Sequence, residues 1–154
     1  MTPPPTTRLG DWYANLVHVG RQQLVLAVSD KTFLPIVVPA APATDIVDRI
    51  RDRVAEVLAE FPIERDVIER ERAAMTEVAY GKTASRQVLG VLVEFAFLLS
   101  VQELPRSATL LEASLRLGET PCGPLYKTAH SFPDRTMVAL LAGEEKARSL
   151  PVRF

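Results

Sequence analysis

The sequence predicts an α+β fold, with a small, mainly antiparallel sheet made of an N-terminal β-hairpin plus an edge strand, packed with about four or five helices. Three observations predict it. Apolar and polar residues alternate on both sides of Gly20-Arg21, the mark of two strands joined by a tight turn. From Ile46 onward apolar residues recur at helical spacing, the mark of amphipathic helices. The 154 residues, 47% of them hydrophobic, suffice for one domain that buries a core without staples. Residues 1–9 read as a disordered leader, 10–142 as a single domain and 143–154 as a tail.

Pro3, Pro4 and Pro5 donate no backbone hydrogen bonds and favour extended, solvated chain. The hairpin follows over Trp12 to Val28, with Gly20 leading a type II′ turn and Val19 opposite Gln22. One face then carries Tyr13, Asn15, Val17, Val19, Leu24, Leu26 and Val28, and we expect it to be the core face. The other, with Trp12, Ala14, Leu16, His18, Val25 and Ala27, is also largely apolar. Ser29 to Thr32 turns the chain into Phe33 to Val38, where Pro35 fits an edge strand.

Thr44 or Asp45 is placed to cap a helix through Ile46, Val47, Ile50, Val54, Val57, Leu58 and Phe61, which Pro62 ends. A second helix uses Ile63, Val67, Ile68 and Met75, and its spaced pairs Asp66/Arg70 and Glu69/Arg72 read as a solvated face. Glu77 to Tyr80 reads as a short strand. Val88 to Val101 is apolar except for Gly90, Glu94 and Ser100, so a buried helix is expected, capped by Thr83 or Ser85. That segment is short of the roughly 20 residues a bilayer span requires. Thr109 and Glu112 make a capping box for a helix ending at Gly118, although alternation through Leu111, Ala113, Leu115 and Leu117 also fits a strand. After the turn at Pro121 to Pro124, a last helix starts near Pro133-Asp134 and docks through Met137, Val138, Leu140 and Leu141. Beyond Gly143 a frayed tail is expected.

Eighteen basic and nineteen acidic side chains give a net charge of -1, so no overall field draws phosphate backbones or anionic lipid, and neither nucleic-acid nor membrane binding is expected. Cys122 is the only cysteine, which excludes an intrachain disulfide and a clustered thiolate metal site. The N-terminal residues show no secretory signal pattern, and a cytoplasmic location is expected.

Gly81-Lys82-Thr83 resembles the end of a phosphate-binding loop, but Thr76 stands where that loop needs glycine and Glu77 adds negative charge. A weaker reading keeps Lys82, Thr83, Ser85 and Arg86 as an anion contact at a helix start, against the plainer reading of a cap with exposed basic residues. Cys122 and His130 have the residue types of a nucleophile and its base, yet the flanking prolines favour a packed turn with a structural cysteine. His18 and His130 lack metal-ligand spacing, so neither metal nor cofactor is expected. Glu94, inside an apolar helix, must be paired, face a cavity or reach the surface, and the surface is the favoured reading.

Asp11-Trp12-Tyr13-Ala14-Asn15-Leu16 with Gly20-Arg21 and Lys31-Thr32, and later the run Gly81 to Gly90 (Gly-Lys-Thr-Ala-Ser-Arg-Gln-Val-Leu-Gly), resemble two signatures of a bacterial family of domains of unknown function. Thr120 to Leu125 is similar to a third, seen in some members, and the likeness covers most of residues 11 to 140. Where members tend to carry an Asn-Asp pair after the second signature, this chain reads Val93-Glu94. The resemblance brings no activity with it. It implies that Asn15, Lys31, Lys82, Ser85 and Arg86 belong to recurrent motifs, and that with Thr32 and Thr83 they form a candidate binding group; the alternative is that they fix hairpin to helix. No catalytic residue is assigned. The expected function is a non-catalytic interaction or regulatory protein with a protein partner, and the alternative is a small phosphate- or nucleotide-directed enzyme or anion-binding domain.

Overall fold

A computed structural model describes residues 7–75, 79–80, 85–101, 109–126, 128 and 130–151. The hairpin consists of β1 (Trp12–Val19) and β2 (Gln22–Ser29), with Val19 opposite Gln22 and Trp12 opposite Ser29. Gly20 has a φ of 59°, and Arg21 is not among the residues with positive φ, as a type II′ turn requires. β3 (Pro35–Pro39) pairs antiparallel with β2, from Val28 against Pro35 to Leu24 against Pro39. β4 (Ala79–Tyr80) lies parallel to β1 against Tyr13 and Ala14, so the sheet order is β3-β2-β1-β4. β3 is thus the edge strand that Pro35 foretells.

Six α-helices lie among the described residues: α1 (Ile46–Ala59), α2 (Arg65–Ala74), α3 (Arg86–Val101), α4 (Leu110–Gly118), α5 (Pro133–Ala142) and α6 (Glu144–Arg148). They cover both faces of the sheet. On one side Trp12, Ala14, Val25, Ala27, Ile36 and Val38 pack with Ile50, Val54 and Leu58 of α1 and with Met137 and Val138 of α5. On the other Val17, Leu24, Leu26, Val28 and Val37 pack with Val88, Leu92, Phe95 and Leu99 of α3 and with Leu117 of α4. Neither face is the solvated one. β2 is accordingly buried without a break from Leu24 to Ser29, because a strand between two helical layers has no polar side to alternate toward.

Thr109 Oγ1 accepts the Glu112 amide at 3.1 Å, and this cap makes residues 110–118 a helix rather than a strand. α4 also completes the sheet edge. The outward amide of Val37 in β3 donates to Ser114 Oγ at 2.8 Å, and that hydroxyl donates to the Leu110 carbonyl at 2.8 Å. Ser114→Ala would leave the buried Val37 N–H without an acceptor, and we expect a loss of about 1–3 kcal/mol in urea unfolding. A loss below the error of the measurement would mean that water replaces the hydroxyl.

Two expected boundaries move. Leu9 is fully buried, and the Arg8 amide donates to Oε1 of the buried Glu71 at 2.6 Å, so ordered chain begins before residue 10. At the other end, Ala147 of α6 is fully buried and the Arg135 guanidinium donates to the carbonyls of Ala147, Leu150 and Pro151. The expected tail is therefore docked as far as Pro151. Asp66 and Arg70 pair at 3.3 Å as read from their spacing, whereas Arg72 Nε donates to Asp52 of α1 at 2.9 Å and ties α1 to α2.

Candidate functional site

The described residues among those singled out from the sequence lie in β1, in the turn between β2 and β3, and at the start of α3. Asn15 lies in the middle of β1 on the α3 side, half-buried and opposite Leu26. Lys31 and Thr32 lie in the turn between β2 and β3, at the end of the sheet where β1 starts; that end is three residues, or about 10 Å, from Asn15. Lys31 is exposed. Thr32 is buried, its hydroxyl 2.7 Å from Ser29 Oγ and accepting the Leu34 amide at 3.3 Å, while its own amide donates to Ser29 Oγ at 3.1 Å. These bonds hold a turn in which Phe33 sits at a φ of 60°, a conformation that a bulky side chain adopts only when its surroundings enforce it.

Ser85 Oγ accepts the Val88 amide at 3.2 Å, which makes it the cap of α3, and Arg86 is exposed in the first turn. Lys82 and Thr83 lie outside the described residues. Among the described residues no hydrogen bond or ion pair joins Asn15 or Lys31 to Ser85 or Arg86. Thr32 and Ser85 have evident local roles in a turn and a cap.

The surface of α3 differs from the buried helix expected. Val88, Val91, Leu92, Phe95 and Leu99 face the sheet, but Leu89, Val93, Phe97 and Val101 are 38%, 68%, 63% and 54% exposed. Residues four apart lie in one row along a helix, so these four make an apolar line about 18 Å long. Single exposed apolar residues are ordinary, whereas a contiguous row marks a contact surface. Glu94 is exposed beside that row, as is Arg86 at its start. Uniform apolarity concealed the arrangement, since such a helix usually reads as buried all round.

A cleft of about 820 Å³ opens on the opposite side of the sheet, within the usual size of small-molecule sites. Phe61 and Pro62 after α1, Phe132 before α5, and Leu150 and Pro151 after α6 give it apolar walls. Glu60, Glu119, Asp134, Arg135 and Lys146 bring charge to it. Burial pushes the Asp134 carboxyl up to about 6, against the Arg135 amide, which donates to Oδ1 at 2.7 Å, and the nearby guanidinium, which both favour the anion. From the sequence Asp134 is legible only as an acidic residue in a first helical turn.

The linkage has a definite sign. The folded carboxyl titrates near 6 and the unfolded one at its ordinary value of 3.8, so the folded state holds the extra proton between those pH values. The burden of this group on stability is absent below the lower value, grows as pH rises and is complete above the higher one. Asp134→Asn is expected to raise unfolding free energy at pH 7.5 by roughly 1–2 kcal/mol and to match the wild type near pH 3.5. Urea unfolding of both proteins across that range checks it; an equal difference at every pH would count against the titration.

The remaining nucleophile is not activated. Cys122 is buried, and burial, helped by the charge of Glu94, pushes its thiol up to about 12. His130 Nε2 lies 2.7 Å from Glu144 Oε2. Among the described residues there is no group of three or more histidine, cysteine or acidic side chains arranged to hold a metal ion, and no helix is long and apolar enough to cross a membrane.

Residues 1–136 match the family model described as "Domain of unknown function (DUF6933)", a span that contains the whole sheet and the first four helices. No curated protein and no solved structure matches the chain. The chain belongs to the DUF6933 family.

Proposed function

We propose that this member of the DUF6933 family is a non-catalytic interaction domain with a regulatory role, and that it engages an amphipathic helix of a protein partner through the outward face of α3. The observation that carries the reading is the row Leu89, Val93, Phe97 and Val101, exposed together on one line. Burying a side chain of this kind is worth about 1.5–3 kcal/mol, so covering the row supplies a useful share of a binding free energy. The spacing of four matches that of a helix laid on a helix. Charge restricts the choice of partner. Arg86 and Glu94, the charged residues of α3 and both exposed, favour an acidic group opposite the start of the row and a basic one beside its middle. A cytoplasmic location belongs to the same reading, since the lone thiol has no partner in the chain for a disulfide.

A photo-crosslinking amino acid placed at Val93 tests this in cells, with one at the exposed Arg70 of α2 as control. The expected result is a discrete adduct at 93 that is absent at 70. After the captured protein is identified and purified, Phe97→Glu should weaken its binding by about tenfold or more while leaving the melting temperature unchanged. Equal adducts at both positions, an adduct of twice the chain's own mass, or undiminished binding by the variant would overturn the reading.

A further inference from the structure

We propose that the cleft between the end of α1 and the α5–α6 corner binds a small organic cation, an ammonium group carried on an aromatic or branched alkyl body. This inference is independent of the α3 reading, because α1, α5 and α6 pack on the other face of the sheet.

The volume of about 820 Å³ accommodates a compact ligand, and the lining says which kind. Phe61, Phe132 and Leu150 offer apolar surface to a hydrocarbon body. Three carboxylates, Glu60, Glu119 and Asp134, come to the same space from the end of α1, the end of α4 and the start of α5. Two cations accompany them, and they are not equivalent. The Arg135 guanidinium is turned onto backbone, with Nη1 donating to Ala147 and Leu150 carbonyls at 3.2 and 3.4 Å and Nη2 to Pro151 at 2.7 Å. It therefore builds the far wall, with both Nη1 and Nη2 engaged on backbone there. Lys146 is exposed on α6, where solvent screens it.

A ligand anion would thus meet the Glu60 and Asp134 carboxylates, with the Arg135 guanidinium held against backbone carbonyls. An ammonium would meet carboxylate oxygens, which attract cations, beside the hydrocarbon surface of Phe61 and Phe132. Asp134 is the best placed of the carboxylates. Its Oδ1 is fixed by the Arg135 amide at 2.7 Å, and its Cβ lies against Gly118, where an added methyl would stand 3.7 Å away. Its position is set before any ligand arrives, which lowers the ordering cost of binding.

The probe is 2-phenylethylamine, with 2-phenylethanol and phenylacetate as neutral and anionic counterparts, titrated into the full chain at pH 7.5 and followed by amide chemical shifts. The amine is expected to saturate with a dissociation constant of about 1 mM, and the other two to bind at least about tenfold more weakly. Shifts should centre on residues 119, 132–135 and 146–150. Asp134→Asn should weaken the amine by about tenfold with no fall in melting temperature. Lys146→Glu, an exposed change that leaves the core untouched, should tighten it by roughly twofold.

Lowering the pH to 5 should weaken binding as a proton competes for Asp134, whose charged neighbours in the cleft are Arg135, Lys146, Glu119 and Glu60. No saturation by the amine at about 10 mM, equal or tighter binding of the acid or alcohol, shifts centred elsewhere, or unchanged affinity in Asp134→Asn would each overturn the proposal.

Discussion

Phe95→Ala is expected to cost about 3–5 kcal/mol of unfolding free energy, and Phe97→Ala, two residues along the same helix, less than about 0.5 kcal/mol. Phe95 is 1% exposed and packed between α3 and the sheet, whereas Phe97 is 63% exposed. Truncating the first removes a ring from a closed core and leaves a cavity that the surrounding strands only partly fill. Truncating the second removes atoms that water already surrounds. Urea unfolding of the two variants, with similar slopes, measures the contrast directly. Comparable losses would mean that the outward row of α3 is covered within the chain itself, and the interaction reading would lose its surface. The contrast also separates two reasons for a chain to keep a large apolar residue. At 95 folding accounts for it, and at 97 it does not.

The same helix shows how far the sequence is legible. Turns and caps can be read because their chemistry is local. Gly20 sets the hairpin turn, Pro35 marks the edge strand, and Thr109 with Glu112 starts α4. Choosing a buried face requires a contrast between two sides of an element, and β2 and α3 offer none. Alternation therefore could not show that Trp12 and Ala14 face as full a core as Val17. α6 has five residues and a single buried one, Ala147, too little for a periodic signal. Its docking depends on Arg135, twelve residues earlier than the nearest carbonyl it holds.

The cleft was illegible for a related reason. Residues 60–62, 119, 132, 134, 135, 146 and 149–151 each look like part of an ordinary helix end, and only the fold brings them together. The polar residues legible as motifs, Thr32 and Ser85, make bonds within three residues of themselves. A recurrent motif can thus record a turn or a cap as readily as a site.

Cys122 gives the other large expected effect. At pH 8 a thiol raised to about 12 is ionised to about one part in 10⁴, and one at its ordinary value of 9.0 to about one part in 10. The folded protein should therefore react with an aromatic disulfide reagent about 10³ times more slowly than the urea-unfolded chain. Its rate should still climb about tenfold per pH unit at pH 9, where the unfolded chain levels off. Burial is the larger cause of the shift and the Glu94 charge the smaller, so the two can be told apart. Glu94→Gln should speed labelling by less than about threefold, because the exposed carboxylate acts through solvent. A substitution that opens the turn around Cys122 should restore most of the reactivity. Fast labelling of the folded wild type, or a plateau near neutral pH, would reveal a stabilised thiolate and return a covalent mechanism to consideration.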